Sequence, residues 1–210
     1  MDGKRAEAFS DGVFAVAITL LVLELKVPGG EGTLLHRLLE IWPSYLAYAV
    51  SFLTVGIMWL NHHTMFAHIV RVTRPVLLLN LLLLMVVAMV PFPTAVIGEE
   101  LGEHLRGDDA KTITVAYGLL MIVMSMCFSA VWWYVVFHPG MLDERLTPED
   151  VRRSIPKFGF GLFGYVLATV MGLFSPLTSL VLLGVLGLYY AFEHLPTPRK
   201  LDPDPGAGTG

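Results

Sequence analysis

The fold is decided by an apolar stretch near the amino terminus, residues 9–25, which reads FSDGVFAVAITLLVLEL. Between Asp11 and Glu24 lie twelve uncharged residues. At about 1.5 Å rise each they span only about 18 Å, well short of a hydrocarbon core about 30 Å thick. An ionisable group within a membrane helix usually faces the interior of a helix bundle, because exposure to lipid is costly. The stretch therefore predicts a membrane helix that other helices shield.

The whole chain has the composition of a membrane protein. Of its 210 residues, 55% are hydrophobic and 15% are charged, and the mean hydropathy is +0.66, which is too apolar for one soluble core. The net charge of −4, without basic patches, excludes a nucleic-acid-binding protein. The single cysteine, Cys127, has no second cysteine with which to form a disulfide or a thiolate metal site.

Six apolar segments are long enough, or nearly so, to cross a bilayer as helices. They cover residues 9–25, 43–65, 75–97, 112–137, 158–174 and 177–192. Leucines at helical spacing predict a further short interfacial helix within residues 31–41. The sequence thus predicts an all-α membrane protein with one six-helix domain over residues 1–195. The Pro- and Gly-rich tail, residues 196–210, is expected to be disordered.

The orientation follows from the basic residues, which favour cytoplasmic connections. Ten of the 14 fall on one side of the predicted membrane: Lys4, Arg5, Arg71, Arg74, Arg145, Arg152, Arg153, Lys157, Arg199 and Lys200. The other side holds Lys26, Arg37, Arg106 and Lys111. Both termini, and with them the tail, are therefore expected in the cytoplasm, which requires an even number of spans.

One face of the first helix carries a narrow apolar stripe. At about 100° per residue, Val16, Leu20 and Leu23 fall within an arc of about 60°, with Thr19 at its edge. If several copies of this helix met around an axis, the stripe would form hydrophobic rings of the kind that gate pores by dewetting. The same stripe also suits ordinary packing between membrane helices.

The start of the chain carries a specific motif. Arg5, Phe9, Ser10 and Asp11 stand at the spacing RxxxFSD and open the first helix, and the second span ends Trp59-Leu60-Asn61-His62-His63. Both segments closely resemble the transmembrane protein 175 family of potassium channels. The resemblance is strong in motif only over these two helices, whereas in architecture it covers the whole chain.

The resemblance implies a homotetrameric, leak-type potassium channel in a bacterial inner membrane, with the first helix of each subunit lining the pore. In the family the narrowest ring lies five positions after the Asp of the motif, which is Val16 here. Leu20 and Leu23 would add further rings, and Thr19 a polar layer. Ile or Leu is usual at the narrowest ring, so Val16 predicts a wider one. No enzyme activity, cofactor or metal is implied; the partners are other copies, the bilayer and permeant monovalent cations such as potassium.

The motif is also implied to form a polar network between helices. Asp11 needs hydrogen-bond donors or a positive partner. The expected members of its network are Arg5, Ser10, Trp59, Asn61, His62 and His63. Asn80, the one strongly polar side chain of the third span, is expected to bond to a neighbour. Close helix packing is predicted at four glycines of the last two spans: Gly161, Gly164, Gly184 and Gly187.

Three alternatives use the same polar residues. Ser10, a histidine and Asp11 would compose a hydrolase triad, but adjacent residues on a helix point about 100° apart and no oxyanion loop is visible. His62, His63 and His68 would bind a metal, but no established ligand spacing is present. A small-solute or proton-coupled transporter would use Asp11 with His62 and His63 as a relay.

Overall fold

The computed structural model describes residues 3–26, 29, 31–103, 108–138, 140–143, 146 and 148–191. Within these ranges the regular structure consists of helices joined by turns and loops, with a single antiparallel bridge between Ile69 and Leu142. The tail expected to be disordered, residues 196–210, lies outside the described residues. The all-helical prediction is therefore confirmed for the part of the chain that the structure describes.

Eight α-helices follow one another along the part of the chain that the structure describes. They are α1 Gly3–Leu20, α2 Leu34–Glu40, α3 Trp42–Ala67, α4 Arg74–Ala88, α5 Pro91–Glu103, α6 Asp108–Val136, α7 Pro148–Gly172 and α8 Pro176–Tyr189. A short 3-10 turn, Leu21–Glu24, continues α1. The short helix predicted within residues 31–41 is α2.

Among the described residues, four helical stretches are long and apolar enough to cross a membrane. They are Gly3–Glu24, Trp42–Ala67, Arg74–Glu99 and Asp108–Val136. Two shorter apolar helices, Phe160–Gly172 and Pro176–Tyr189, correspond to the fifth and sixth predicted segments. The chain is thus a membrane protein whose first four predicted segments are full-length.

Two predicted segments differ from the helices observed. The third, predicted as continuous over residues 75–97, is interrupted between α4 and α5, because Pro91 lacks an N–H and its ring clashes with the carbonyl four residues earlier. The fifth, predicted to begin at residue 158, begins at Pro148, since proline suits the first turn of a helix. Pro156 then lies inside α7.

Two hydrophobic clusters fix how the helices align. One gathers Ala6 of α1, Met65 near the end of α3, Val76 near the start of α4 and Trp132 near the end of α6. The other joins the remaining half of α1 to α3, α4, α5 and α6, with Leu21 completely buried in it. The amino-terminal end of α1 therefore lies beside the carboxyl-terminal ends of α3 and α6.

Glycines bring α6, α7 and α8 close together at some of the predicted positions. A Cβ on Gly161 would overlap the phenol of Tyr190, and one on Gly164 would lie 2.7 Å from Leu186. Gly118 of α6, which the sequence analysis did not single out, faces Thr169 in the same way. Gly184, in contrast, faces open space, so the close packing predicted there is wrong.

Candidate pore helix and its polar supports

Helix α1 has one face buried inside its own subunit. Ala6, Ser10, Phe14 and Ala17 are buried, and Leu21 continues this line into the 3-10 turn. The spacing of three to four residues keeps these side chains on one side of the helix. α3, α4 and α5 pack against this side.

The opposite face of α1 is not covered by the other helices of the chain. The exposed fraction is 56% for both Phe9 and Val16, 40% for Leu20 and 71% for Leu23. Thr19 is exposed between them, and its hydroxyl donates to the carbonyl of Val16 at 2.9 Å. Its proton is therefore engaged, and its oxygen keeps lone pairs that can accept hydrogen bonds. We call this exposed row, made of Val16, Thr19, Leu20 and Leu23, the α1 stripe.

Asp11 is half-buried on the side of α1 that faces α3. The indole Nε1 of Trp59 donates to its Oδ1 at 2.8 Å. Among the hydrogen bonds and ion pairs of the described residues, this is the one that involves the Asp11 carboxylate. Arg5 is exposed, about two turns before Asp11 toward the amino-terminal end of α1.

The three polar residues that end the predicted second span contact three different elements. Asn61 donates to the carbonyl of Tyr190, after α8, at 2.8 Å. Nδ1 of His63 lies 2.9 Å from the carboxylate of Glu7 on α1. Because successive residues of a helix point about 100° apart, neighbours in sequence are directed toward different partners. The expected single network around Asp11 is therefore divided into separate contacts.

A buried polar chain connects α1, α4 and α3. The amide nitrogen of Asn80 donates to Ser10 at 2.9 Å, and its amide oxygen lies 2.8 Å from Nε2 of His62. Ser10 in turn donates to the carbonyl of Ala6 at 2.8 Å. Ser10, His62 and Asn80 are at most 2% exposed. The sequence analysis expected Asn80 to bond to a neighbour but did not place it in this network.

The comparisons with known proteins agree on one family. The family model described as endosomal/lysosomal potassium channel TMEM175 matches residues 5–91. A potassium channel of Streptomyces collinus (strain DSM 40733 / Tue 365) is 46% identical over 199 residues, which cover 93% of this chain and 95% of that protein. The chain belongs to the TMEM175 family.

A solved structure and an animal relative extend the likeness. The crystal structure of a lysosomal potassium-selective channel TMEM175 homolog from Chamaesiphon minutus gives a TM-score of 0.78 at 36% identity, covering 90% of this chain and 96% of that one. The endosomal/lysosomal proton channel TMEM175 of Bos taurus is 45% identical over 159 residues, which cover 70% of this chain but 31% of that protein. The TMEM175 family is thus one of ion channels and not of enzymes.

The geometry does not favour the hydrolase or metal alternatives. The hydroxyl of Ser10 donates its proton to a backbone carbonyl, and Nε2 of His62 bonds to Asn80 and not to Ser10. A nucleophile paired with a base is therefore not formed by these two side chains. In the described ranges, no group of three or more His, Cys, Asp or Glu is placed to hold a metal ion.

At the far end of α1 an ion pair links the chain after the 3-10 turn to α5. The ammonium group of Lys26 bonds to the carboxylate of Glu99. This hydrogen bond raises the pKa of Lys26 above its usual value, so the ammonium form is favoured. Both side chains are more than half exposed, and such pairs contribute little to stability.

Proposed function

We propose that the chain is one subunit of a potassium-selective channel, in which potassium moves down its electrochemical gradient through a pore lined by α1. The observation that carries the proposal is the α1 stripe, which the subunit leaves uncovered while it holds the opposite face of α1 with buried apolar and polar contacts. The likeness to bacterial potassium channels supports potassium as the permeant ion.

The proposed pore consists of four α1 helices around a common axis. Val16 would form the narrowest ring, Leu20 and Leu23 further apolar rings, and Thr19 a layer of hydroxyl oxygens. Hydrophobic rings of this kind regulate passage by excluding water. Asp11 and Glu24 at the two ends of the apolar stretch also favour a shielded position for α1 over contact with lipid.

The proposed topology has six spans with both termini in the cytoplasm of a bacterial inner membrane. α4 and α5 together make the third span, and α7 and α8 the fifth and sixth. The basic residues near the amino-terminal end of α1 and the start of α4 support this orientation. The channel needs no cofactor and no catalytic residue, and its partners are other copies of the chain, the bilayer and monovalent cations.

A transporter with a proton relay is not favoured. The relay needs Asp11, His62 and His63 within reach of one another, but each bonds elsewhere: Asp11 to Trp59, His62 to Asn80 and His63 to Glu7. Asp11 and His62 thus belong to separate hydrogen-bonded contacts.

The function is tested by ion flux in liposomes that contain the purified, folded protein. A potassium gradient drives the flux, and sodium and proton gradients are measured in parallel because the animal relatives are named proton channels. We expect ion uptake to be greatest for potassium. Potassium uptake should increase in Leu20→Ala, because the shorter side chains widen one of the proposed apolar rings. Flux for neither metal ion, or flux for protons alone, would overturn the proposal.

The topology is tested with single cysteines in a Cys127→Ser background. Glu31→Cys and Arg71→Cys both replace exposed residues at opposite ends of the bundle. We expect a membrane-impermeant maleimide to label position 31 in intact cells and position 71 only after the membrane is opened. The reverse pattern would contradict the proposed orientation.

A further inference from the structure

We propose that a cavity beside α8 binds a small apolar molecule that carries a hydroxyl group. The cavity has a volume of about 310 Å³ and is lined by residues of α3, α5, α6, α7 and α8. No residue of α1 lines it, so it is distinct from the proposed pore. Ligand pockets in proteins begin at about 300 Å³, so the occupant must be small.

The walls of the cavity are aliphatic and its opening lies at the protein surface. Leu46 and Val50 of α3 and Leu177 and Val181 of α8 line it, and each is 43–60% exposed. Gly184 also lines it, and a Cβ added there would meet no atom within 4 Å. Because the surface between α3 and α8 is apolar, a molecule dissolved in the bilayer can reach the cavity sideways.

Hydroxyl groups line the inner part of the cavity. They belong to Ser51, Thr54, Thr94, Tyr117 and Tyr165. Oγ of Ser51 lies 2.8 Å from Oγ1 of Thr94, and Ser51, Thr94 and Tyr117 are buried. Buried hydroxyls in such number are unusual in an apolar lining and indicate a site that recognises a polar group.

The direction of each hydrogen bond shows whether these hydroxyl groups can still donate to a ligand or only accept from it. Thr54 donates its proton to the carbonyl of Val50, and Thr94 donates to that of Val90, each at 2.8 Å. Ser51 must therefore donate to Thr94. The protons of Ser51, Thr54 and Thr94 are all engaged within the protein, so these three oxygens offer only lone pairs to a ligand.

Unpaired lone pairs select a ligand with a hydrogen-bond donor. A ketone, ether or hydrocarbon has no proton to give and therefore makes no hydrogen bond to these oxygens. An ammonium group has protons but loses its hydration among aliphatic walls. A neutral hydroxyl is the donor that satisfies both conditions, and its oxygen can also accept from Tyr165, the fifth hydroxyl residue of the lining.

The test measures ligand-dependent Tm of the purified protein in detergent, with cyclohexanol and its matched non-donor cyclohexanone. At ten times Kd, we expect cyclohexanol to raise the Tm of the wild type by about 3–6 °C, and cyclohexanone to raise it by less than half as much. Gly184→Leu should fill the cavity and abolish the rise. Val185→Leu, on an exposed position of α8 outside the lining, should retain it.

Three results would overturn the proposal. An equal Tm rise in Gly184→Leu would assign the effect to the micelle. Equal rises in Tm with the alcohol and the ketone would show that a hydrogen bond from the ligand is not needed for binding. This comparison uses only the wild type, so a folding defect in the variant does not affect it. A phospholipid that native mass spectrometry finds on the wild type but not on Gly184→Leu would assign the cavity to a lipid chain.

Discussion

The indole of Trp59 donates a hydrogen bond of 2.8 Å to the carboxylate of Asp11 and thereby joins α3 to α1. The bond lies on the side of α1 away from the α1 stripe. His63, one turn along α3, stacks on Trp59 with ring centroids 6.0 Å apart and pairs with Glu7 of α1. Two contacts on one side of α3 therefore fix the rotational position of α1 about its own axis. That position decides which residues of α1 face away from the other helices.

Trp59→Phe removes the indole donor and keeps an aromatic ring. Hydrogen bonds to charged groups contribute about 1.5–3 kcal/mol, and we expect about 1 kcal/mol here because both side chains are partly exposed to solvent. The Tm of the purified protein should fall by about 2–4 °C. Trp133→Phe, an exposed position in α6, is the control and should leave the Tm unchanged. Equal effects at both positions would contradict a specific role for the bond.

The chain from Ser10 through Asn80 to His62 should behave as one unit. Asn80→Ala leaves Nε2 of the buried His62 without a partner, at a cost of about 1–3 kcal/mol, and removes the hydrogen bond that Ser10 accepts. Ser10→Ala removes one of the same bonds. The double variant should therefore lose less stability than the sum of the single variants, by about 1 kcal/mol.

The control for this cycle is a buried hydroxyl that bonds only within its own helix. Thr114 donates to the carbonyl of Ala110, four residues earlier in α6. Asn80→Ala combined with Thr114→Val should give additive losses of stability in thermal or denaturant unfolding. Additivity in the Ser10 and Asn80 pair as well would show that the two side chains are not energetically coupled.

Substitution by alanine should change the Tm in opposite directions at two glycines that have different surroundings. In Gly118→Ala the new methyl group meets Thr169, whose Cβ lies 2.9 Å from it, and neither helix backbone can yield easily. Gly184→Ala meets no atom within 4 Å and removes a flexible residue from a helix, which stabilises by about 0.5–1 kcal/mol. Tm should fall in the first variant and rise in the second. The same sign in both would contradict the packing described here.

Val16→Ile should narrow the proposed pore. One methylene is added to each subunit at an exposed position, where the single subunit offers no steric conflict. We expect a lower conductance and a higher ratio of potassium to sodium permeability, measured as ion currents in planar bilayers. Met126→Leu, on an exposed position of α6, should change neither quantity. An unchanged permeability ratio in Val16→Ile would place the selective region elsewhere.

Much of the fold could be predicted because membrane helices are long apolar runs with simple limits. The second and fourth segments were predicted within about four residues of their observed bounds, and the first close to its end, although α1 begins six residues earlier than predicted, at Gly3. The break before Pro91 and the early start of α7 were missed for a shared reason: hydropathy measures what suits lipid, whereas helix ends depend on backbone hydrogen bonds. Residues 148–157 are polar but helical, so they fell outside a search for apolar runs.

The sequence could predict polar residues that belong to the site, but not which of these residues bond to one another. The motif drew attention to Ser10 and His62, but the residue between them, Asn80, lies in the third span and stands at no fixed spacing from either. Partners across a bundle depend on the rotation of each helix, which a single sequence does not contain. For the same reason, the sequence analysis assigned Asn61, His62 and His63 to one network around Asp11, whereas in the structure each of them has a different partner.

The central claim, that the α1 stripe lines the path of the ion, is tested most directly by silver block of potassium flux in liposomes. Leu20→Cys lies on the stripe, and Val22→Cys lies on another exposed side of the same segment; both are made in a Cys127→Ser background. Silver ions, which bind thiolates, should stop potassium flux through Leu20→Cys and leave Val22→Cys and the parent active. Block of Val22→Cys with Leu20→Cys unaffected would contradict the account.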